Sequence, residues 1–405
     1  MPEKKLKNKL DRFGTLTKAD SKTSQLTTPP ERYTKLARAA GGKTVVRRAG
    51  TYCLVKTTYP YKYNHGNMVL DRIQRQTVPL SAFRTQDEKG ALDLKNMLFV
   101  DTETTGLGGA GAVAFVVGCG SLGRGGFEIR QYLLPDYSDE AGMLEDVLTE
   151  FATRSVPVTY NGAAFDMPLL RDRMILNRVA SDIDYDHHID LLHATRRLFR
   201  RRLRDCSLIS IEEQVFDFFR TDDIPGYLIP SIYFEWLSEE NLDLVSGVLE
   251  HNRLDIVSLL CLVYLLAEIH ETEGGVLNQV DDLHSLSRVY GRRRDGESVS
   301  RVFSRIDEIG GNSLADDIVL YHAMNFKRTG DIVRAVEMWQ SLAESDSREA
   351  YWANLELAKY YEHREKDFPL ALHHTRLAKS VCPYGHGHHS RLAARLSRLT
   401  AKLRS

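Results

Sequence analysis

The stretch that most constrains this chain is Leu98-Phe99-Val100-Asp101-Thr102-Glu103-Thr104-Thr105-Gly106. Three apolar, strand-forming residues run straight into two carboxylates. Side chains alternate faces along a strand, so Asp101 and Glu103 point the same way. Aligned carboxylates at the end of a buried strand repel each other and resist loss of water. A hard divalent cation, which prefers oxygen ligands, relieves both costs. A lone D-x-E can equally be a strand end with two solvated acids. Acids arriving downstream in the right settings decide between the two.

A chain of 405 residues predicts two or three domains with ample core. The net charge of −1 means that no global basic field advertises nucleic acid, so any such site must come from local clustering. The cysteines at 53, 119, 206, 261 and 382 stand singly, with no C-x-x-C pair. That argues against a disulfide framework or a thiolate zinc site and fits a reducing cytosol. The basic N-terminus lacks the apolar run of a signal peptide. The longest apolar run, Ile256 to Ile269, is too short for a bilayer and carries Ser258 and Glu268. The expectation is a soluble, cytoplasmic protein with no membrane partner.

Residues 1–40, rich in Lys, Thr, Ser and Arg, read as a disordered basic arm. Residues 41–92 read as a short strand-rich extension, with its tyrosines packing a small sheet. The catalytic-looking domain is expected over 93–275. Gly106-Leu107-Gly108-Gly109-Ala110-Gly111 matches the dinucleotide fingerprint G-x-G-x-x-G. That fingerprint needs a helix after its last glycine. Here Ala112 to Gly118 is β-branched and aromatic, so it reads as a second strand and the cofactor reading is rejected. Glu128 to Leu134 reads as a third strand, Asp139 to Thr153 as a helix and Val156 to Tyr160 as a fourth strand. An antiparallel meander followed by a helical crossover suits a ribonuclease-H-like mixed sheet with flanking helices better than a doubly wound one.

Two further acidic settings follow. In Tyr160-Asn161-Gly162-Ala163-Ala164-Phe165-Asp166-Met167-Pro168, Asn161-Gly162 signals a turn and Asp166 falls where a helix should start. Alone, Asp166 would be a helix cap. After a parallel strand beside the first, its turn should lie next to Asp101 and Glu103. The long helical pattern from Leu242 to Ile269 carries His251 and Asp255, one turn apart on one face. A surface ion pair is the plain alternative, but the apolar run after Asp255 argues for burial and hence for a metal or a polar network. Between these, Leu191 to Leu203 reads as a basic helix whose Arg196, Arg200 and Arg204 could contact phosphates, or simply be solvated.

From about residue 276 the composition turns to helical repeats: Ala323, Gly330-Asp331 and Ala335 recur as Ala358 and Ala371. This resembles tetratricopeptide helix pairs, with an ordinary helical bundle as the alternative. Such pairs imply a protein partner.

Together the acids are more specific than any one of them. Four carboxylates, Asp101, Glu103, Asp166 and Asp255, with His251, suit two Mg²⁺ or Mn²⁺ ions and phosphodiester hydrolysis. The sequence here resembles the DEDD exonuclease superfamily, and over 95–270 its YprB-type ribonuclease-H-like family. The phrases that carry the resemblance are Leu98 to Leu107, Tyr160 to Leu170, Ile189 to Leu192, Asp222 to Gly226 and His251 to Leu259. One departure is that three residues separate His251 from Asp255, where the histidine branch of the superfamily has four. The resemblance implies that the four acids hold the metals, that His251 is the general base, and that nucleotides are removed from nucleic-acid ends in the 3′-to-5′ direction. Thr104, Gly106, Leu107, Asn161 and Phe165, which flank the acids, become candidate nucleic-acid contacts alongside Arg196, Arg200 and Arg204. No residue separates DNA from RNA; DNA, in a repair setting, is the expectation taken. A non-catalytic nucleic-acid-binding or scaffold protein is the alternative, against which stands the survival of all four acids.

Overall fold

The computed structural model describes residues 28–70, 77–84, 86, 88–106, 111–311, 314–382 and 385–404. Strands β1 (Lys43–Arg47), β2 (Gly50–Tyr59), β3 (Met97–Thr104), β4 (Ala114–Gly123), β5 (Gly126–Leu133), β6 (Val156–Thr159) and β7 (Ile189–Asp190) form one mixed sheet in the order β1-β2-β5-β4-β3-β6-β7. From β1 to β3 every neighbouring pair in that order is antiparallel, while β6 runs parallel to both β3 and β7. The expected meander and crossover are therefore present. β3 is central because Met97 to Val100 are all apolar and at most 1% exposed, as a strand covered on both faces requires.

The amino-terminal expectations need two corrections. The expected disordered arm contains helix α1 (Glu31–Ala39). Its Tyr33, Leu36 and Ala37 are buried, and Tyr33 Oη donates to Asp139 at 2.7 Å. Three apolar contacts and one hydrogen bond to a distant carboxylate, invisible in composition, order it. Residues 1–27 lie outside the described residues. The strand-rich extension is no separate layer: β2 pairs with β5 from Cys53↔Leu133 to Tyr59↔Phe127, so β1 and β2 form the edge of the main sheet. Tyr52 is buried, as packing predicts.

Helix α2 (Glu140–Thr153) carries the chain from β5 to β6 and buries Met143, Leu144, Val147 and Phe151, the i, i+1, i+4, i+8 stripe of a core-facing helix. α3 (Asp166–Leu176) follows β6, then α4 (Leu191–Phe199), α5 (Leu208–Gln214), α6 (Ile229–Glu239) and α7 (Val245–Glu271). Buried Glu140 accepts from Arg173 Nε at 2.7 Å and from Asn177 Nδ2 at 2.8 Å, tying α2 to α3.

The chain divides into two units. The first comprises residues up to 78, 91–192 and 207–264; the second comprises 79–90, 193–206 and the chain from 265 onward. The expected boundary at 275 is corrected on both counts, because the second unit begins inside α7 and recruits two earlier segments. It consists of α8 (Val280–Arg293), α9 (Gly296–Gly310), α10 (Asp316–Thr329), α11 (Ile332–Ala343), α12 (Glu349–Tyr360), α13 (Phe368–Ser380) and α14 (His386–Lys402). Its helices come in pairs with a repeated hinge. Arg294, Gly330 and Lys366 each take a left-handed backbone, and the next residue is each time an aspartate whose side chain caps the following helix. Asp295, Asp331 and Asp367 accept from the backbone N–H of Ser298, Arg334 and Leu370 respectively. Ala323, Ala335, Ala358 and Ala371 are fully buried, as close helix packing requires. Among the described residues no helix is long and apolar enough to cross a membrane.

Candidate active site

β3 delivers the first two acids. Asp101 faces Gly118 of β4 across the ladder. A Cβ on Gly118 would lie 2.3 Å from both Asn252 Oδ1 and Ile256 Cδ1, so the missing side chain is what lets α7 lie directly on the sheet. Asn252 then reaches Asp101, donating to its carboxylate at 2.8 Å and to its carbonyl at 3.2 Å. Gln131 Nε2 fixes Asn252 from behind at 2.8 Å. The β3–β4 register shifts just after Glu103, a bulge of the kind that re-aims a side chain at the end of a pairing.

Asp166 opens α3, and its carboxylate accepts from the Thr102 hydroxyl. The preceding turn is fastened by Asp190 at the end of β7, which accepts from the backbone N–H of Asn161 at 2.8 Å and of Ala163 at 3.1 Å. Asn161 has φ 65°, a left-handed setting that asparagine tolerates.

α7 contributes His251 and Asp255. His251 Nδ1 lies 2.8 and 3.0 Å from the two Asp223 oxygens, and its Nε2 lies 3.8 Å from Asp255 Oδ2. Arg220 Nη1 is also near Nδ1, at 3.4 Å. The shorter contacts favour an Nδ1–H donated to Asp223, which leaves Nε2 as the basic nitrogen. Arg220 itself is the hub of the neighbourhood. It makes two 2.6 Å bonds to buried Glu212, one of 3.2 Å to Asp223 and a further bond to Asp255. Behind Glu212, Ser258 donates to its carboxylate, and His65 Nε2 lies 2.7 Å from Ser258 Oγ. Burial, aided by the Arg220 charge, pushes the His65 imidazole down to about 3, so it is neutral and donates from Nε2.

The four expected acids are close enough to perturb one another. Burial first, then the charges of Asp255, Glu103 and Asp166, push the Asp101 carboxyl well above its usual range. Burial and the charges of Asp255 and Asp166 do the same to Glu103. Asp166 is pushed up to about 6 by burial, against the Thr102 hydrogen bond that favours its ionised form. Burial opposes the Arg220 charge, but the Glu212 hydrogen bonds and the Asp255 charge outweigh it and hold its pKa above the ordinary value.

The donor set fits hard divalent cations: several carboxylates, mostly desolvated, with too little positive charge between them. Each carboxylate that has a protein donor is turned toward it: Asp101 to Asn252, Asp166 to Thr102, Asp255 to Arg220. Among the described residues no group of three or more His, Cys, Asp or Glu side chains is drawn together as ligands of a single ion.

Of the flanking candidates, Thr104 Oγ1 donates to the Gly106 carbonyl at 2.7 Å, shaping the exit of β3. Phe165 is 54% exposed, a bare aromatic immediately before Asp166. Leu107 lies outside the described residues. The basic helix is corrected. α4 stops at Phe199, where the N–H groups of both Arg202 and Leu203 close on the Phe199 carbonyl. Arg201 then pairs with Asp281 and Asp317, and Arg202 with Asp282, all within the second unit. Much of the charge run is therefore spent on holding that unit together. Arg196, Arg200 and Arg204 remain exposed, Arg196 on α4 and the other two beyond its end.

A profile of the RNase H superfamily matches residues 98–267. The uncharacterized protein YprB of Bacillus subtilis (strain 168) is 31% identical over 330 residues, covering 79% of each chain. The chain belongs to the YprB family of the RNase H superfamily. An RNase H-type domain supports nuclease activity in general, implies nucleic-acid binding, and belongs to a superfamily whose nucleases typically use divalent metals. The matched span contains all four acids and His251.

In this RNase H-type site, sequence reasoning missed Arg220, Glu212, Asn252 and Asp190. Asp190 and Asn252 lie inside phrases that carried the family resemblance, yet neither had a periodic or spacing signal of its own. Arg220 offered only the weak cue of a single cation in an acid-rich loop, Asp217 to Asp223.

Proposed function

We propose that this chain is a metal-dependent 3′-to-5′ exonuclease of the DEDD type, with Asp101, Glu103, Asp166 and Asp255 as ligands of two Mg²⁺ or Mn²⁺ ions. The observation that carries the proposal is the His251 imidazole, held by Asp223 through Nδ1 with Nε2 3.8 Å from Asp255. A base oriented by a third group is what proton abstraction from water needs. His251 takes the proton at Nε2, Asp223 steadies the resulting imidazolium, and Asn252 holds Asp101 in place. Bound metal ions would supply electrostatic stabilisation of the attacked phosphate and the leaving oxygen. Phe165 stacks on a terminal base, with Thr104, Gly106, Leu107 and Asn161 along the strand. DNA, in repair, is the substrate proposed, and the helical pairs, read as tetratricopeptide-like, recruit a protein partner in the cytoplasm.

The test is incubation of the full chain with 3′- and 5′-end-labelled single- and double-stranded DNA and RNA, with Mg²⁺, Mn²⁺ or EDTA. Stepwise shortening from the 3′ end that EDTA stops and that Asp101→Asn and Asp255→Asn abolish supports the proposal. EDTA-resistant cleavage, or full activity in both variants, refutes it. The Arg220 contact to Asp255 favours the second reading, a non-catalytic nucleic-acid-binding protein. Metal-independent binding with no cleavage under any condition selects that reading.

A further inference from the structure

The second unit contains a cavity of about 280 Å³ whose wall includes Arg196, Arg197, Arg201, Arg288, Arg292 and His284. His284, Arg288 and Arg292 follow one another at four-residue steps along α8, so two like charges lie one turn apart on the face that looks into the cavity. Like charges at that spacing oppose helix formation.

Accounting for the five guanidinium groups leaves most of them without a counter-charge. Arg201 is neutralised by Asp281 and Asp317. Arg197 donates to the Phe83 carbonyl at 2.8 Å, which carries no full charge. Burial first, then the neighbouring Arg293, Arg292 and Arg84 charges, pushes Arg197 down to about 10. The Arg288 guanidinium lies 5.8 Å over the Tyr321 ring. Neither Arg288, Arg196 nor Arg292 has a carboxylate partner among the described residues. A second observation is independent of charge. His284 is 2% exposed, and its Nδ1 is buried without any hydrogen-bond partner. Burial, with Arg201 and Arg288 nearby, lowers its pKa to about 4, so the ring is neutral and Nδ1 can donate to an oxygen anion.

We propose that this cavity is a phosphate-binding site, taking the phosphate of a free nucleotide or of a nucleic-acid end. The wall holds arginines and no lysine, and the planar guanidinium matches phosphate oxygens with paired N–H donors. Ligand pockets commonly run from about 300 to 1,000 Å³, so this one admits a single phosphorylated group and not a length of duplex. None of the lining residues is one of the four acids, and the proposal does not rest on the exonuclease reading.

The test measures binding by the full chain in EDTA, where cleavage plays no part, using calorimetry at two salt concentrations. The probes are inorganic phosphate, adenosine and deoxyadenosine 5′-monophosphate, and one short oligonucleotide with a phosphate or a hydroxyl at its 5′ end. The chain should bind at least one phosphorylated probe, and Arg288→Gln/Arg292→Gln should weaken it at least tenfold. Arg196→Gln, on α4 in the same lining, should weaken the same probe, while exposed Arg376→Gln should not. Removing mutually repelling charges should leave the ligand-free unfolding midpoint unchanged or raised. Binding of monophosphates identifies a nucleotide site, and binding only of the 5′-phosphorylated strand identifies a strand-end site. Absence of binding by every phosphorylated probe, or equal binding by the native chain and both cavity variants, overturns the proposal. Asp101→Asn should bind as the native chain does, so a failed nuclease assay leaves this result intact.

Discussion

Arg220 is the buried cation on which Glu212, Asp223 and Asp255 converge. Its side chain is 4% exposed and that of Glu212 0%. Arg220→Leu would strand Glu212 as a buried carboxylate with only the Ser258 hydroxyl as donor, and would leave Asp223 and Asp255 without their shared cation. Breaking one side of a buried ion pair costs about 3–5 kcal/mol, because the remaining charge is uncompensated. Replacing both sides by apolar groups is far milder, so Arg220→Leu/Glu212→Leu should recover most of that loss. The coupling should then exceed about 2 kcal/mol, above the scatter expected for independent sites. Urea unfolding in EDTA, analysed for native, single and double variants, reads it directly. Added Mg²⁺ should narrow the deficit of Arg220→Leu, since a divalent cation near Asp255 replaces the missing charge. A loss below about 1 kcal/mol, or a double variant no better than Arg220→Leu, would refute the view of Arg220 as the cation that balances this cluster.

Three further outcomes are expected. Gly118→Ala should destabilise the protein by about 1–3 kcal/mol and reduce cleavage, because its Cβ would push α7, with Asn252, off the sheet; an unchanged denaturation midpoint would show that the contact yields freely. In EDTA, a carboxyl whose folded pKa is raised contributes stability below its unfolded value that is lost as pH rises through the folded one. Asp166, moved from 3.8 to about 6, should therefore cost on the order of 3 kcal/mol across that window, and Asp166→Asn should remove that part of the slope in midpoints measured from pH 4 to 8. A chain ending at Gly275 would lose Asp281, Asp282 and Asp317, and with them these ion pairs of Arg201 and Arg202, so it should be insoluble or poorly folded; a soluble product with native-like circular dichroism would contradict this.

Alternation along a strand fixes which side chains share a face, so Asp101 and Glu103 were legible as neighbours, while reading them as a site needed the acids downstream. The meander and crossover were legible from local periods too: β4, β5 and α2 each carry theirs within eight to fourteen residues. His251 and Asp255 were legible as one helical turn. The supports of that site were not. Asn252 works only because Gly118, far away in sequence, has no side chain, and Arg220 works only because Glu212 and Asp255 converge on it. Such pairings leave no period behind. The same holds for α1, which three buried side chains and a hydrogen bond to Asp139 order, and for the second unit, which borrows residues 79–90 and 193–206.

The repeated left-handed residue followed by a capping aspartate has a consequence for how this chain can change over evolutionary time. Every hinge solves the same problem with its own local atoms: one residue reverses the chain and one carboxylate satisfies the next helix. No hinge borrows a cap from another. Inserting or deleting one whole step would therefore leave the turn chemistry of every remaining step complete. Under the proposed tetratricopeptide-like reading, the tail would be a quasi-one-dimensional stack stabilised by contacts between neighbours, whose length can vary while its rules stay fixed. Under the proposed function the acid site has no such freedom, since Asp101, Asp166 and Asp255 would then be useful only together. Relatives of this protein should thus differ in the number of terminal helix pairs well before they differ in the spacing of the acids.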